Sequence, residues 1–323
     1  MLSAVVRERR GLLRAVAVAT VAVGMLVGCG SGPSQIGAAA LVGDTVIPVD
    51  RVQQQLDTVL TKEGEQAKAQ LVAGNQLDDV SREIVTQAVR HELLAVAARR
   101  EGLSVDDEQV TDRIGQLGGP EAASAGTIYD AQGIRTRARD QLLAAELGRK
   151  YLPGLSVTVD YTTAATRTAA MQRVRQLSEA GSERAREIIA ADAEQGVAAG
   201  LDQRIFAVEN PGLAAAPVFG VGAGTVVAFT SDQDAGAWLV MVVTDRSTDA
   251  QGGGDAQGGG GVDEFDPALL EAAGLRQLAP VAQDLGVRIN PRYGLWDPVA
   301  VRAAPDENET AGFVAPLREP PSA

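Results

Sequence analysis

The 323-residue sequence has few of the residues on which most enzyme sites depend. It contains one histidine, His91, and one cysteine, Cys29. A single cysteine excludes a disulfide within the chain, and a zinc site needs several nitrogen or sulfur ligands that this chain cannot supply. A catalytic triad would have to use His91, which stands between Arg90 and Glu92 in a helical pattern and is better explained as a surface or partly buried side chain. We therefore expect no metal and no cofactor.

Aromatic residues and positive charge are also scarce. Aromatic residues make up 3% of the chain against 45% hydrophobic residues, so any core must consist mainly of alanine, valine, leucine and isoleucine. The net charge of −13 argues against a nucleic-acid partner and against a polybasic lipid-binding surface. The length still allows one or two hydrophobic cores.

The first 28 residues have the pattern of an export signal. Arginines precede an apolar stretch, residues 15–27, that is shorter than the ~20 residues of a membrane span. Leu26-Val27-Gly28-Cys29 resembles a bacterial lipobox, which implies that Cys29 becomes the lipid-bearing N-terminus. The protein would then be anchored at the extracytoplasmic face of the cell membrane. The alternatives are an ordinary secretory signal with a chance cysteine, or a membrane span.

Residues 81–114 predict two helices joined by a tight glycine turn. Apolar residues lie on one face of the first helix, at positions 85, 89, 93 and 96. Gly102 stands where a left-handed C-cap is needed. Asp106 and Gln109 have the spacing of a capping box at the start of the second helix.

The same stretch resembles the N-terminal chaperone domain of the SurA and PrsA foldases. The resemblance rests on Leu93, Leu94, Ala97 and the run from Glu101 to Val110, and on the strand, Gly43-Asp44 turn and strand near residues 41–47. It implies a helical domain over residues 38–155, after a tether at 29–37. It also implies that residues 263–302, which end in a segment similar to the closing strand of SurA-like proteins, return to complete that domain.

Residues 156–246 resemble a parvulin-type prolyl isomerase domain. They predict a strand, two helices, short strands and a long last strand that ends near Arg246. The histidines of that family are absent, since Trp238 stands at the last-strand position and the first strand offers only Asp160 and Tyr161. We interpret the domain as degenerate and expect any peptide to contact aromatic residues, namely Tyr161, Phe206, Phe219 and Trp238. The alternative is an unrelated small α+β domain.

Three segments are predicted to lie outside the packed structure. Residues 247–262 contain a perfect tandem repeat of Asp-Ala-Gln-Gly-Gly-Gly and read as a linker. Residues 303–323 are proline-rich and acidic, which predicts a disordered tail. Residues 61–80 are polar and predict a mobile loop.

These observations predict an α+β, mostly helical fold, in which a SurA-like helical domain is completed by the C-terminal helix and strand and carries an inserted parvulin-like domain. The implied function is that of a lipid-anchored chaperone for unfolded or nascent secreted proteins, bound in a groove of alanine, valine, leucine and methionine between the helical domain and the parvulin-like lobe. The missing histidines argue against isomerase catalysis. An active isomerase with an atypical site and a non-catalytic envelope scaffold remain alternatives.

Overall fold

The computed structural model describes residues 37–230, 236–250 and 265–318. The predicted signal peptide, Cys29, and most of the tether and of the glycine-rich linker lie outside these residues. None of the described helices combines the length and the apolar composition needed to cross a bilayer.

The N-terminal part is a helical domain with a small sheet. Its elements are β1 (Ala38–Val42), β2 (Thr45–Pro48), α1 (Val49–Ala73), α2 (Leu77–Glu101), α3 (Asp107–Gln116), α4 (Pro120–Ser124) and α5 (Ile134–Tyr151). The predicted strand, turn and strand are present, with Gly43 at a φ of 56° in the turn.

The hairpin of α2 and α3 follows the predicted local signals. Gly102 ends α2 in the left-handed conformation with a φ of 67°. The main-chain nitrogen of Gln109 donates to the Asp106 carboxylate at 2.8 Å, and the Asp106 nitrogen donates to Gln109 Oε1 at 3.0 Å. Such a capping box satisfies two helix-end N–H groups, each cap being worth about 1 kcal/mol. Val89 and Leu93 are fully buried, so the predicted apolar face is the core face.

The mobile loop predicted for residues 61–80 is wrong. α1 continues to Ala73 across a break at Gly64, whose φ of 81° is not helical, and α2 starts at Leu77, so most of this segment is helical. Lysine, glutamate, glutamine and alanine are strong helix formers, so their polarity here reflects a solvent-facing helix. Lys62 Nζ donates to three main-chain carbonyls of the α4–α5 connection, including that of Tyr129 at 3.0 Å, which ties α1 to the rest of the domain.

The inserted domain has the predicted order of a strand, two helices and three strands. Its elements are β3 (Ser156–Ala164), α6 (Arg167–Ala180), α7 (Ser182–Glu194), β4 (Gly200–Phe206), β5 (Thr225–Thr230) and β6 (Trp238–Ser247). The strands pair antiparallel in the order β5-β6-β3-β4. Alternate residues of each strand face two separate cores, one of which is formed with α6 and α7.

The C-terminal part adds elements to both halves of the molecule. These are α8 (Pro267–Arg276), α9 (Leu278–Leu285), β7 (Val287–Ile289), β8 (Leu295–Asp297), β9 (Arg302–Ala304) and β10 (Gly312–Pro316). β7 pairs antiparallel with β1, with Ala40 opposite Ile289, and completes the sheet of the helical domain. The α+β fold with this C-terminal completion is therefore confirmed.

The disordered tail predicted for residues 303–323 is wrong over its described part. β10 pairs with β5 from Gly312 to Pro316 and forms one edge of the five-stranded sheet. Arg167 holds the approach to this strand, because its guanidinium donates to the Thr310 carbonyl at 2.7 Å and lies 4.6 Å from the Phe313 ring. The prediction failed because it took the proline content as a sign of disorder, whereas a proline is tolerated in an edge strand such as β10.

α5 and α8 cross with their backbones in contact. A Cβ atom on Gly274 would lie 1.7 Å from the Ala144 carbonyl oxygen, and one on Gly148 would lie 2.0 Å from the Leu270 carbonyl oxygen. Real Cβ atoms do not approach backbone atoms so closely, so both positions require glycine for steric reasons.

We expect Gly274→Ala to lower the free energy of unfolding by about 2 kcal/mol or more, because the helices must move apart. The measurement is chemical denaturation of both variant and parent protein. Gly115→Ala is the matched control, since no atom lies within 4 Å of a Cβ there and the position is helical and exposed. That control should gain about 1 kcal/mol from helix propensity. An unchanged stability of Gly274→Ala would contradict the crossing.

A chain that ends after residue 311, and so keeps β9, should lose thermal stability, because β5 becomes an unprotected edge strand and Phe313 leaves its apolar contacts. A chain that ends after residue 318 keeps β10 and should melt like the full-length protein. Equal melting temperatures for the two truncated chains would show that β10 adds nothing to the fold.

Candidate functional site

The central strands of the inserted domain lack any imidazole. Asp160 on β3 is fully buried and is occupied by structural contacts, since it accepts hydrogen bonds from the Asp202 main chain at 2.7 Å and from Arg186 at 3.1 Å. His91, the single histidine of the sequence, belongs to α2. The network of hydrogen-bonded imidazoles that the resemblance would imply is therefore impossible.

The structure does not bring the four predicted aromatic residues to one surface, which corrects that prediction. Phe219 is fully buried in one core of the sheet, and Trp238 is 8% exposed in the core on the opposite face. Tyr161 is half-buried, and its ring lies against Gly200 of the neighbouring strand. Phe206 is half-buried and has the Arg204 guanidinium 4.8 Å from its ring. A peptide-binding role stays a prediction for Tyr161 and Phe206.

The apolar groove predicted between the helical domain and the parvulin-like lobe is also not present among the described residues. Phe219 packs in one core with Leu270 and Ala273 of α8, so the apolar residues at this junction are buried against each other. A depression of about 280 Å³ lies beside the junction. Its lining includes the charged residues Arg100, Glu101, Arg246 and Asp284, so it is not the predicted apolar groove.

A larger groove lies between α3, α5 and α8, and we call it the α3–α5–α8 groove. Its volume is about 350 Å³, which is within the range of ligand sites. Its apolar lining consists of Leu142, Ala145, Pro267 and Leu270. Its polar lining consists of Gln109, Asp112, Arg113, Gln116, Gln141, Glu146, Arg149 and Glu271.

Helical spacing explains why these side chains face the groove. On α3 the lining residues recur at intervals of three, one and three from Gln109 to Gln116, so they form one stripe. Val110 and Ile114 lie on the other side of α3 in a small core. The polar stripe was a usable signal in the sequence, but α8, which closes the groove, is about 150 residues away in the chain.

Glu271 is a half-buried carboxyl of the groove and has only long hydrogen bonds to the protein, whereas Asp112 is exposed to solvent. Gln141 Nε2 donates to its two oxygens over long distances of 3.4 and 3.3 Å. Burial raises the pKa of Glu271, although the Gln141 hydrogen bond and nearby arginines oppose the shift. Glu146, in contrast, forms an ion pair with Arg149 at 2.5 Å. The groove thus offers an apolar surface, amide groups and one half-buried, weakly paired carboxyl.

His91 has a structural role between α2 and α5. Its Nδ1 lies 2.9 and 3.0 Å from the two carboxylate oxygens of Asp140. The hydrogen bond to Asp140 raises the pKa of His91, and partial burial opposes the shift. The small cavity beside it has a volume of only about 50 Å³, too little for a peptide segment.

The pKa shift of His91 predicts that stability falls as the pH rises. Because the folded pKa lies above the ordinary 6.5, the folded state holds the proton more tightly than the unfolded state. The stabilisation by the His91–Asp140 contact is complete below pH 6.5, and it is lost as the pH rises through the pKa of His91 in the folded state. Urea denaturation at several pH values checks this, and Asp140→Asn should flatten the slope. A wild-type stability that rises over this interval would contradict the assignment.

Comparison with known proteins agrees with the N-terminal resemblance. Residues 1–119 match the model of the SurA-like N-terminal domain family. Among solved structures, the chain matches the foldase protein PrsA from Lactococcus lactis at 9% identity, over 78% of this chain and 94% of that chain, with a TM-score of 0.27. At that TM-score the match supports no conclusion about fold or function. The search of curated proteins gave no match.

Proposed function

We propose that this chain, whose residues 1–119 match the model of the SurA-like N-terminal domain family, is an extracytoplasmic chaperone that holds unfolded or nascent exported polypeptides. The proposed client site is the α3–α5–α8 groove. Cys29 is the proposed lipid attachment site, which would keep the protein at the outer face of the cell membrane. The proposal includes no metal, no cofactor and no nucleic-acid partner.

The mixed lining of the groove is the observation that carries this proposal. An unfolded chain presents apolar side chains together with unpaired main-chain N–H and C=O groups. Leu142, Ala145 and Pro267 offer an apolar surface, while Gln116 and Gln141 offer amide groups that can both donate and accept. Such a surface binds extended segments without requiring one sequence.

A site of this kind fits weak and reversible holding. We expect affinities in the micromolar range, about 8 kcal/mol of binding free energy. Weak binding suits a chaperone, because a client must leave in order to fold.

The proposed function does not include prolyl isomerase catalysis. The barrier to rotation of a peptide bond is about 18–20 kcal/mol, and lowering it needs an accessible pocket with suitable polar groups. The sheet of the inserted domain has a core on each face, so Phe219 and Trp238 support packing and not substrate contact.

An active isomerase with an atypical site is the second candidate, because the predicted element order of the parvulin-like domain is retained. Turnover of a proline peptide that is lost on Tyr161→Phe would favour it.

The first test is suppression of aggregation of an unfolded secreted protein by stoichiometric amounts of the chaperone. Ala145→Tyr should weaken suppression several-fold, because the new ring occupies part of the groove. Met171→Tyr is the matched control, since Met171 is 39% exposed on α6, outside the groove. Melting curves of both variants separate loss of binding from loss of folding.

Crosslinking gives an independent readout in intact cells. A photoreactive residue at Gln116, which is exposed on the groove rim, should capture many unrelated exported proteins, whereas one at Met171 should not. One stoichiometric partner would instead favour the scaffold alternative. Wild-type protein that neither slows aggregation nor crosslinks to any client would refute the chaperone proposal.

A further inference from the structure

Glu271 lines the groove, and the hydrogen bonds that it accepts from the protein leave much of its capacity as an acceptor unused. It stands in the early part of α8, close to Pro267 and Leu270, which also line the groove. Its contact with Gln141 is long, and among the described residues no cation forms an ion pair with it. A half-buried carboxyl that accepts so little from the protein favours a ligand that brings its own hydrogen-bond donors.

The arginines around Glu271 do not replace such a ligand. Arg90 donates to the carbonyl of Val301 at 2.9 Å, and Arg137 donates to the carbonyl of Ala123 at 3.3 Å. Both guanidinium groups are therefore held by main-chain acceptors. Arg113 lines the groove and lowers the pKa of Glu271 through its charge, but no hydrogen bond joins the two side chains.

The groove is lined by three further charged residues, Asp112, Glu146 and Arg149, which also affect the binding of a charged side chain. Glu146 and Arg149 form an ion pair, while Asp112 adds one carboxylate on the α3 side of the groove. The whole chain carries a net charge of −13. A basic side chain entering the groove finds a carboxyl beside apolar residues, whereas an acidic side chain meets repulsion from the groove and from the chain as a whole.

We propose that Glu271 makes the α3–α5–α8 groove selective for client segments in which a lysine or arginine stands among apolar residues. This inference rests on the proposed chaperone function and assigns its client class. Leu142, Ala145 and Pro267 would receive the apolar neighbours, and Glu271 would accept the charge-assisted hydrogen bond of the basic residue.

Three labelled peptides test the selectivity by fluorescence anisotropy with the full-length protein. They share one extended apolar sequence and differ at a central position, which is lysine, glutamine or glutamate. Wild-type protein should bind the lysine peptide about two- to fivefold more tightly than the glutamine peptide, the size expected for a partly exposed ion pair. The glutamate peptide should bind most weakly.

Glu271→Gln should remove the preference for lysine, so that the lysine and glutamine peptides bind this variant with equal affinity. Glu179→Gln is the matched control, since this exposed glutamate of α6 lies outside the groove and its loss should change no ratio. Arg113→Gln tests the opposite assignment, in which the groove cation selects acidic clients.

The outcomes separate the two proposals. If all three peptides bind equally well and Glu271→Gln has no effect, the selectivity is refuted while the chaperone function stands. If the glutamate peptide binds best and Arg113→Gln abolishes this preference, Arg113 determines the client class and Glu271 does not. If no peptide binds, both the selectivity and the client site are refuted.

Discussion

The backbone contact between α5 and α8 is the constraint on which the rest of the molecule depends. α5 belongs to the N-terminal helical domain, whereas α8 follows the inserted domain in the chain. Because Gly148 and Gly274 carry no Cβ, each lies against a carbonyl oxygen of the opposite helix. The crossing fixes α8 beside α5, and α8 then closes the groove and covers the core that contains Phe219.

The turn between β8 and β9 is a second link between the two halves. It places Val299 in the core of the inserted domain and Val301 in the core of the helical domain. Arg276, whose pKa burial lowers to about 10, donates to the Val299 carbonyl at 2.6 Å, and Arg90 donates to the Val301 carbonyl. Val301 has a φ of 53°, which is strained for a β-branched residue and persists because its surroundings hold it. The two halves therefore share cores and do not behave as lobes around an open apolar cleft.

Most of what could be predicted depended on short-range signals. The Gly102 cap and the capping box of Asp106 each need only neighbours within a few residues, and both are present. The mobile loop at 61–80 failed because polarity does not distinguish a loop from an exposed helix. The tail at 303–323 failed because the pairing partner of β10 lies about 90 residues away, and no local pattern encodes that pairing.

The sequence by itself determined the absence of an imidazole site, the SurA-like hairpin and the order of strands and helices, because residue types and local spacing define them. Only the tertiary structure decided which aromatic residues are buried and where a client could bind. Phe219 and Trp238 looked like surface candidates in the sequence, yet opposite faces of one sheet bury them. The α3–α5–α8 groove combines side chains from segments about 150 residues apart, so it exists only once the glycines of α5 and α8 have brought those segments together.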